Sequence, residues 1–296
     1  MSTWVLLSVA AQFLSAISVL IDKHIVVRAR AIGEPLSYAY FTIIFSAAVG
    51  VYAVFGYVSM PDRTLVMLSL LNGALFFSAL YNLYSALKLA RASDVAPAVG
   101  GISAVVTIIL SALLIEHDVQ GLVLPAFLLA SGTAVISHFH FTRLALLHTV
   151  VGGVSFGASI FVAKMVFEHT DFLNGFFWMR TLAVVVALAF LVIPSFRHRI
   201  FRSVKQSTHG GWLLVATNKG IAGASSIMFS IAVSLGSVAV VNALNGLQFV
   251  FLFLFSILFA RYMPRVTSDV AHGGWHTGLG VSLIAIGFAF LALSPL

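Results

Sequence analysis

Cysteine is absent from this 296-residue chain, and charged residues make up only 8% of it. The first absence excludes disulfides, thiolate metal sites and cysteine nucleophiles. The second leaves no polar stretch long enough for a soluble catalytic or DNA-binding module. No HExxH or P-loop pattern occurs, so no ATP-driven transport is predicted within the chain. Hydrophobic residues dominate instead, at 60% of the total.

Those residues form ten apolar stretches of about the length that a helix needs to cross a hydrocarbon core, about 20 residues. Lipid requires every backbone polar group to be satisfied internally, which favours helices. We therefore predict an all-α, polytopic membrane protein with ten transmembrane helices. Because the N-terminus lacks the basic region of a signal peptide, we expect the first run to be a mature helix. The predicted spans are 3–21, 36–58, 64–87, 95–115, 121–141, 144–167, 172–193, 212–233, 238–259 and 274–294.

The basic residues are distributed unevenly between the connections. Odd-numbered connections hold twelve Lys and Arg residues, whereas even-numbered connections and termini hold Arg63, with Lys164 marginal. Cytoplasmic loops carry the excess of basic residues, so we predict odd connections in the cytoplasm and both termini outside it. The net charge of +7 is thus interpreted as a topology signal, and no nucleic-acid partner is predicted. The twelve are Lys23, Arg28, Arg30, Lys88, Arg91, Arg143, Arg197, Arg199, Arg202, Lys205, Arg261 and Arg265.

The two halves of the chain resemble each other in sequence. Ser18–Lys23 ends the first span, and a similar segment, Ser159–Lys164, ends the sixth span 141 residues later. Each half, 1–142 and 143–296, has five predicted spans. Because five is odd, the halves would enter the membrane in opposite directions. Inverted repeats of this kind underlie alternating access around a midplane site.

These features resemble the EamA-type branch of the drug/metabolite transporter superfamily. The resemblance is carried by Ile21-Asp22-Lys23, by the segment from Ala86 to Pro97, and most specifically by the segment from Ile231 to Gln248. It implies ten helices in two inverted halves and a central cavity lined by helices 1, 3, 4, 6, 8 and 9. Many characterised relatives place both termini in the cytoplasm, opposite to the orientation that the charges predict here.

Two basic residues are predicted deep in the membrane, where an ionisable side chain costs several kcal/mol. Lys219 lies in span eight beside Asn218, and Arg180 lies in span seven. No acidic residue is predicted at comparable depth, so a water-filled cavity that receives an anion would relieve the cost. The alternative is a structural role in which Arg180 pairs with a helix-end carboxylate or with backbone carbonyls.

Amides and aromatic residues supply further candidates for substrate binding. Asn242, Asn245 and Gln248 are spaced by three and follow one stripe of span nine, where they could bind substrate or bond neighbouring helices. Span three carries Asn72, Tyr81 and Tyr84, which could line a site for an organic solute. The alternative for both tyrosines is ordinary packing.

Lys23 and Lys164 occupy matching positions of the two halves. They are either interfacial anchors or a pair of gates, one at each membrane face. The ten histidines are scattered, with His138 and His140 on different sides of a helix, so no metal site and no cofactor are predicted.

The sequence favours a secondary transporter for a small organic metabolite, possibly anionic, working as a monomer or homodimer in a bacterial inner membrane. Its other partner is the lipid bilayer. With no carboxylate predicted at the midplane, exchange or facilitated export is favoured over proton symport. The alternatives are a flippase for a lipid-linked metabolite and, less favoured, a membrane-embedded enzyme or sensor.

Overall fold

The computed structural model describes residues 2–27, 34–56, 58–90, 92–114, 142–205 and 209–258, with isolated residues between 124 and 135 and between 278 and 290. All regular secondary structure in these ranges is helical, which confirms the prediction of an all-α protein. The predicted spans 121–141 and 274–294 lie almost entirely outside the described residues.

Ten α-helices are used below to locate the site. Short 3₁₀ segments continue three of them. Ser46–Gly50 follows the helix Pro35–Phe45 and leads into a short helix, Val51–Val54, and Phe190–Val192 extends the helix Phe172–Ala189. Leu244–Gly246 joins the last two helices. The helices are α1 Thr3–Val27, α2 Pro35–Phe45, α3 Arg63–Leu89, α4 Ala92–Leu114, α5 Arg143–His169, α6 Phe172–Ala189, α7 Pro194–Lys205, α8 His209–Leu235, α9 Val238–Ala243 and α10 Leu247–Leu258.

Five segments of these helices are long and apolar enough to cross a membrane, as the sequence predicted for a membrane protein. They are Thr3–Asp22, Arg63–Leu89, Asp94–Leu114, Arg143–His169 and Phe172–Val192. Two shorter apolar segments are Pro35–Gly50 and Val238–Leu252.

The helix starts follow from local capping chemistry. Asp62, Thr142 and Asp171 precede α3, α5 and α6, and each side chain accepts a hydrogen bond from a backbone amide of the first turn. Such caps satisfy amides that have no partner within the helix. The amide of Leu65 and then the bond from His169 hold the pKa of Asp62 below its usual range.

Two helix boundaries differ from the prediction in ways that matter for the site. α1 continues to Val27, beyond the predicted end at residue 21, so Asp22 lies inside the helix. α4 begins at Ala92, which places Pro97 inside the helix and not in its first turn. The apolar pattern underestimated both helices because polar residues near their ends are buried by neighbouring helices.

Two helix pairs form the centre of the bundle. α3 packs along α5, where Ser78 Oγ lies 3.0 Å from Ser155 Oγ and Asn82 Oδ1 lies 2.7 Å from the Nδ1 of His148. α1 packs along α8, where Ser225 Oγ donates to the carbonyl of Ala11 at 2.8 Å.

Glycines allow the closest approaches around the first pair. A Cβ on Gly73 of α3 would lie 2.7 Å from the Cα of Ala183 in α6. A Cβ on Gly157 of α5 would lie 2.6 Å from the carbonyl oxygen of Ser103 in α4. Both contacts are closer than any Cβ permits, so these helices can pack this tightly only with glycine at these positions.

A buried cluster closes one end of the bundle where α1, α2, α3, α7 and α8 meet. It includes fully buried side chains from each helix: Ile25, Leu36, Leu87, Ile200 and Val215. An ion pair between Arg199 of α7 and Glu34, which precedes α2, lies nearby at 2.5 Å. This end corresponds to the odd-numbered connections of the sequence.

Candidate functional site

A cavity of about 810 Å³ lies between the helices. Its walls come from α1, α2, α3, α4, α5, α6, α8 and the segment around α10, and they are mostly apolar and aromatic. Pockets of about 300–1,000 Å³ with a few placed polar groups are typical of sites for small organic molecules. Three charged side chains are among its described lining residues: Asp22, Arg180 and Lys219.

Lys219 lies at the end of the cavity near the closing cluster. Its Nζ donates to Oδ1 of Asp22 at 3.0 Å and to the hydroxyl of Tyr84 at 3.3 Å. The ammonium also lies 4.3 Å from the ring centroid of Tyr38, within range of a cation–π contact. The lysine thus has a carboxylate, a hydroxyl and an aromatic face around its charge.

Asp22 is the centre of this cluster. Besides Lys219, its Oδ1 accepts hydrogen bonds from the hydroxyl of Tyr38 and from Nδ2 of Asn218, the latter at 2.6 Å. Asn218 is fully buried and does not line the cavity, and its Oδ1 has no hydrogen-bond partner in the described part of the chain. Asn218 therefore bonds to the carboxylate of the ion pair and is not among the residues that line the cavity.

The ion pair corrects the prediction that Lys219 has no acidic partner at its depth. That prediction placed Asp22 beyond the end of the first span. Because α1 continues to Val27, Asp22 lies on a helical turn packed against α8 and is only 8% exposed. The charge of Lys219 is therefore neutralised within the protein.

Arg180 has different surroundings. Its guanidinium donates to Ser226 Oγ of α8 at 2.5 Å and lies 5.2 and 5.1 Å from the ring centroids of Phe76 and Phe176. No carboxylate of a described residue lies within 4.0 Å of it. The predicted alternative of a helix-end carboxylate partner is thus wrong for the described residues.

The two cations lie at different depths of the same cavity. Lys219 and Ser226, the partner of Arg180, are seven residues apart on α8. At 1.5 Å per residue they are about 10 Å apart along the helix. The cavity therefore has a neutralised cation near its closed end and a cation without a counter-ion farther along α8.

The amides of the ninth span divide into two groups. Asn245 and Gln248 line the cavity and bond to α1, with Gln12 Nε2 donating to Asn245 Oδ1 at 2.6 Å and Ser15 Oγ donating to Gln248 Oε1 at 3.1 Å. The 3₁₀ segment Leu244–Gly246 interrupts the single helical stripe that the spacing predicted.

Asn242 belongs to the second group. It is fully buried outside the cavity lining, and its Nδ2 donates to Ser103 Oγ at 3.0 Å and to Thr107 Oγ1 at 2.6 Å. These bonds join α9 to α4, and Asn242 Oδ1 also accepts a hydrogen bond from Nδ2 of the cavity residue Asn245.

The residues of α3 that were predicted to bind substrate also differ in their position relative to the cavity. Asn72 and Tyr84 line the cavity, and Asn72 Nδ2 donates to the carbonyl of Ser159 in α5 at 2.7 Å. Tyr81 does not line it; its ring packs edge-on against His148 at 6.0 Å. Of the two tyrosines that could line a site, Tyr84 therefore lies at the cavity and Tyr81 does not.

Of the two predicted gate residues, Lys164 can be compared with the cavity, and it is not among the lining residues. Lys164 Nζ donates to the carbonyl of Gly236 at 3.1 Å and lies 3.8 Å from Glu168, so it ties α5 to the start of α9. Lys23 lies near the end of α1, and its side chain lies outside the described residues.

Several cavity residues were missed by the sequence reasoning: Gln12, Ser15, Asp22 and Ser226. Polar residues within an apolar span were the available signal for Gln12 and Ser15. For Asp22 the signal was its i+3 spacing from Val19, which also lines the cavity, and a span boundary at residue 21 concealed it.

No group of three or more potential metal ligands occurs within the described ranges. Neither Asp22 nor any other acid of this part of the chain forms a cluster with histidine in the cavity.

The sequence matches no family model and no curated protein. Its fold matches solved structures. One of these, described only as "Crystal structure of protein", has 18% sequence identity over 96% of this chain and 98% of its own, with a TM-score of 0.63. At this level of identity the likeness concerns the fold alone.

Proposed function

We propose that this protein is a secondary transporter of the EamA type in the drug/metabolite transporter superfamily, and that it moves a small organic anion through the central cavity. The observation that carries the proposal is Arg180, a cation that faces the cavity without a carboxylate partner among the described residues. A cation within the membrane and without a counter-ion is costly, and a bound anion relieves that cost.

The lining favours a substrate with an apolar body. Phe76 and Phe176 flank Arg180, and Phe156 and Phe167 also line the cavity. The amides of Asn245 and Gln248, which line the cavity beside α1, offer hydrogen bonds. An aromatic or branched aliphatic monocarboxylate fits one free cation, aromatic walls and a few amides.

The packing is compatible with two inverted halves. The helices α3 and α5 are the third and sixth predicted spans, and α8 and α1 are the eighth and first. In an inverted repeat of five spans these two pairs are equivalent, and both pairs pack closely in the structure. Alternating access then takes place around a site between the halves. The buried cluster at the end formed by α1, α2, α3, α7 and α8 would act as the closed gate of one state.

The orientation follows from the charges in this proposal. The positive-inside rule places the odd-numbered connections, including the basic helix α7, in the cytoplasm of a bacterial inner membrane and both termini outside it. The closed gate would then be the cytoplasmic one.

A thermal-shift screen of purified protein tests the substrate class. Ligands that bind only the folded state raise its melting temperature. We expect aromatic and branched aliphatic monocarboxylates to do so, and their uncharged amides to have no effect. Stabilisation by the amides alone, or by organic cations, would contradict an anion carrier.

A second candidate, a flippase for a lipid-linked metabolite, is favoured by one observation. α2 and α8 touch where Phe41 meets Trp212 at 5.1 Å, but farther along exposed residues of both helices, including Phe45 and Gly220, line the cavity. A Cβ on Gly220 would meet nothing within 4 Å. Such a side opening between two spans would let an acyl chain extend into lipid.

Gly220→Trp separates these candidates because it fills the opening. If the substrate has a lipid tail, the variant loses binding of a long-chain carboxylate and keeps binding of phenylacetate. Equal affinity of the variant for both acids would exclude the side opening as a route.

A further inference from the structure

We propose that Asp22 is the proton-binding site of this transporter, and that one proton binds there together with each organic anion. The inference rests on the proposed function and adds the coupling ion to it. It replaces the sequence-based preference for exchange or facilitated export, which assumed that no carboxylate lies within the membrane.

The charges of the cavity carry the argument. With Asp22 ionised, its pairing with Lys219 leaves one net positive charge, on Arg180, among the described lining residues. If a hydronium ion that enters the cavity transfers its proton to the carboxylate of Asp22 and leaves neutral water, the ion pair ends and Lys219 becomes a second free cation. An anion therefore binds more strongly when Asp22 is protonated, and by linkage its binding favours protonation.

The groups around Asp22 leave an oxygen that can take a proton and an acceptor for the hydrogen bond of the protonated acid. All three donors, from Tyr38, Asn218 and Lys219, go to Oδ1 of Asp22, which leaves Oδ2 to take the proton. Asn218 Oδ1 is buried without a partner in the described residues. A proton on Oδ1 is accommodated if the amide turns over, because Asn218 Oδ1 then lies in the present place of Nδ2, 2.6 Å from Oδ1 of Asp22, and accepts a hydrogen bond from the carboxylic acid.

The titratable groups that face Asp22 come from three helices: Tyr38 of α2, Tyr84 of α3 and Lys219 of α8. The two tyrosine hydroxyls are neutral hydrogen-bonding groups around the ion pair. Asp22 is the only acid among the described residues that line the cavity. Arg180 in the same cavity disfavours a cationic substrate that would compete with the proton for Asp22.

The ion pair is also absent from the matching place in the other half. Aligning Ser18–Lys23 with Ser159–Lys164 places Ala163 opposite Asp22. The equivalent helix pair, α5 with α3, thus packs without a carboxylate at this position. An ion pair needed only to hold two such helices together would have no reason to occur in one half alone.

One proton is transported with each anion, so a transport cycle moves no net charge. The empty cavity carries one net positive charge, and so does the cavity with one anion and one proton bound. Coupled transport should therefore be driven by a pH gradient and be insensitive to membrane potential.

The test uses phenylacetate as the probe and measures proton uptake with a pH indicator in weakly buffered detergent solution near pH 7. Wild-type protein should take up about one proton for each phenylacetate bound, as linkage requires. Asp22→Asn, a carboxamide that keeps oxygen and nitrogen in place, should still bind phenylacetate saturably but take up no proton. Glu34→Gln, which removes a carboxylate of an ion pair outside the cavity, should take up the proton as wild type does.

The outcomes separate the two proposals. Saturable binding by wild type without proton uptake would overturn the coupling and leave the carrier intact. Absence of saturable phenylacetate binding by wild type would overturn the proposed function itself. Because both measurements can be made on wild type alone, the test does not depend on folding of Asp22→Asn. In proteoliposomes, a pH gradient that is acidic on the phenylacetate side should drive accumulation by wild type and not by Asp22→Asn.

Discussion

Lys219 and Arg180 are cations that line one cavity, but the groups that surround them differ. Lys219 has a carboxylate at 3.0 Å, two tyrosines and an asparagine around it, whereas Arg180 has one serine hydroxyl at 2.5 Å and two phenylalanine rings. Both side chains were predicted to be unpaired and available to an anion. The difference teaches that depth in the membrane does not identify a binding residue unless the counter-ion is also known.

The first prediction concerns the neutralised cation and has the largest expected effect, on stability. Lys219→Met leaves the carboxylate of Asp22 buried without its partner, which costs about 3–5 kcal/mol when a buried pair is broken. We expect a large fall in melting temperature, measured on detergent-purified protein. The double variant Asp22→Asn/Lys219→Met should recover most of it, since neither charge is then left alone. Two independent, additive losses would mean that the residues do not interact.

The second prediction concerns the free cation. Arg180→Met should weaken binding of phenylacetate by roughly 10- to 150-fold, because a hydrogen bond to a charged group contributes about 1.5–3 kcal/mol. Its stability should change little or rise, since an unpaired charge leaves the bundle. Arg199→Met, which removes an arginine on α7 outside the cavity, is the matched control. Equal affinity in wild type and Arg180→Met would remove Arg180 from the site.

The third prediction extends the comparison to the two asparagines of the ninth span. Asn242→Leu should lower the free energy of unfolding by about 1–3 kcal/mol, because it removes the buried hydrogen bonds from Asn242 to the hydroxyls of Ser103 and Thr107. Asn245→Leu should instead reduce the rate of phenylacetate uptake into proteoliposomes more than it reduces stability. The reverse pattern would exchange the roles assigned to these amides.

The smallest expected effect comes from a hydroxyl of the Lys219 cluster. Tyr84→Phe removes the bond to Lys219 Nζ and should cost about 0.5–1.5 kcal/mol of stability, measured by thermal unfolding. Tyr81→Phe, on the same helix but outside the cavity, should change neither stability nor phenylacetate binding. An effect at Tyr81 as large as at Tyr84 would show that the hydroxyl of Tyr84 has no special part in the cluster.

The sequence predicted the helices better than the contacts between them. Apolar length and turn residues such as Asp62 and Asp171 located most described helices within a few residues, because lipid permits so few backbone structures. Polar and aromatic residues within the predicted spans were the signal for the cavity candidates. Six of those candidates line the cavity: Asn72, Tyr84, Arg180, Lys219, Asn245 and Gln248.

Tertiary packing decided the rest. Asn242 and Tyr81 have the spacing of cavity residues, but Asn242 bonds to Thr107 of α4 and Tyr81 packs against His148 of α5. Asp22 looks like a helix-end acid until α1 is seen to continue to Val27 against α8. Periodicity along one helix cannot reveal which distant helix supplies a partner 197 residues away.

The central claim is that this cavity is wet and positively charged beside Arg180, and the natural absence of cysteine allows a direct test. Gly223 lines the cavity on α8, three residues from Ser226, and a side chain there would meet nothing within 4 Å. We predict that Gly223→Cys reacts several-fold faster with the anionic reagent methanethiosulfonate ethylsulfonate than with its trimethylammonium analogue, relative to Met60→Cys, whose site is 92% exposed. Adding Arg180→Met should abolish that preference. No reaction with either reagent, or a preference for the cation, would contradict the account.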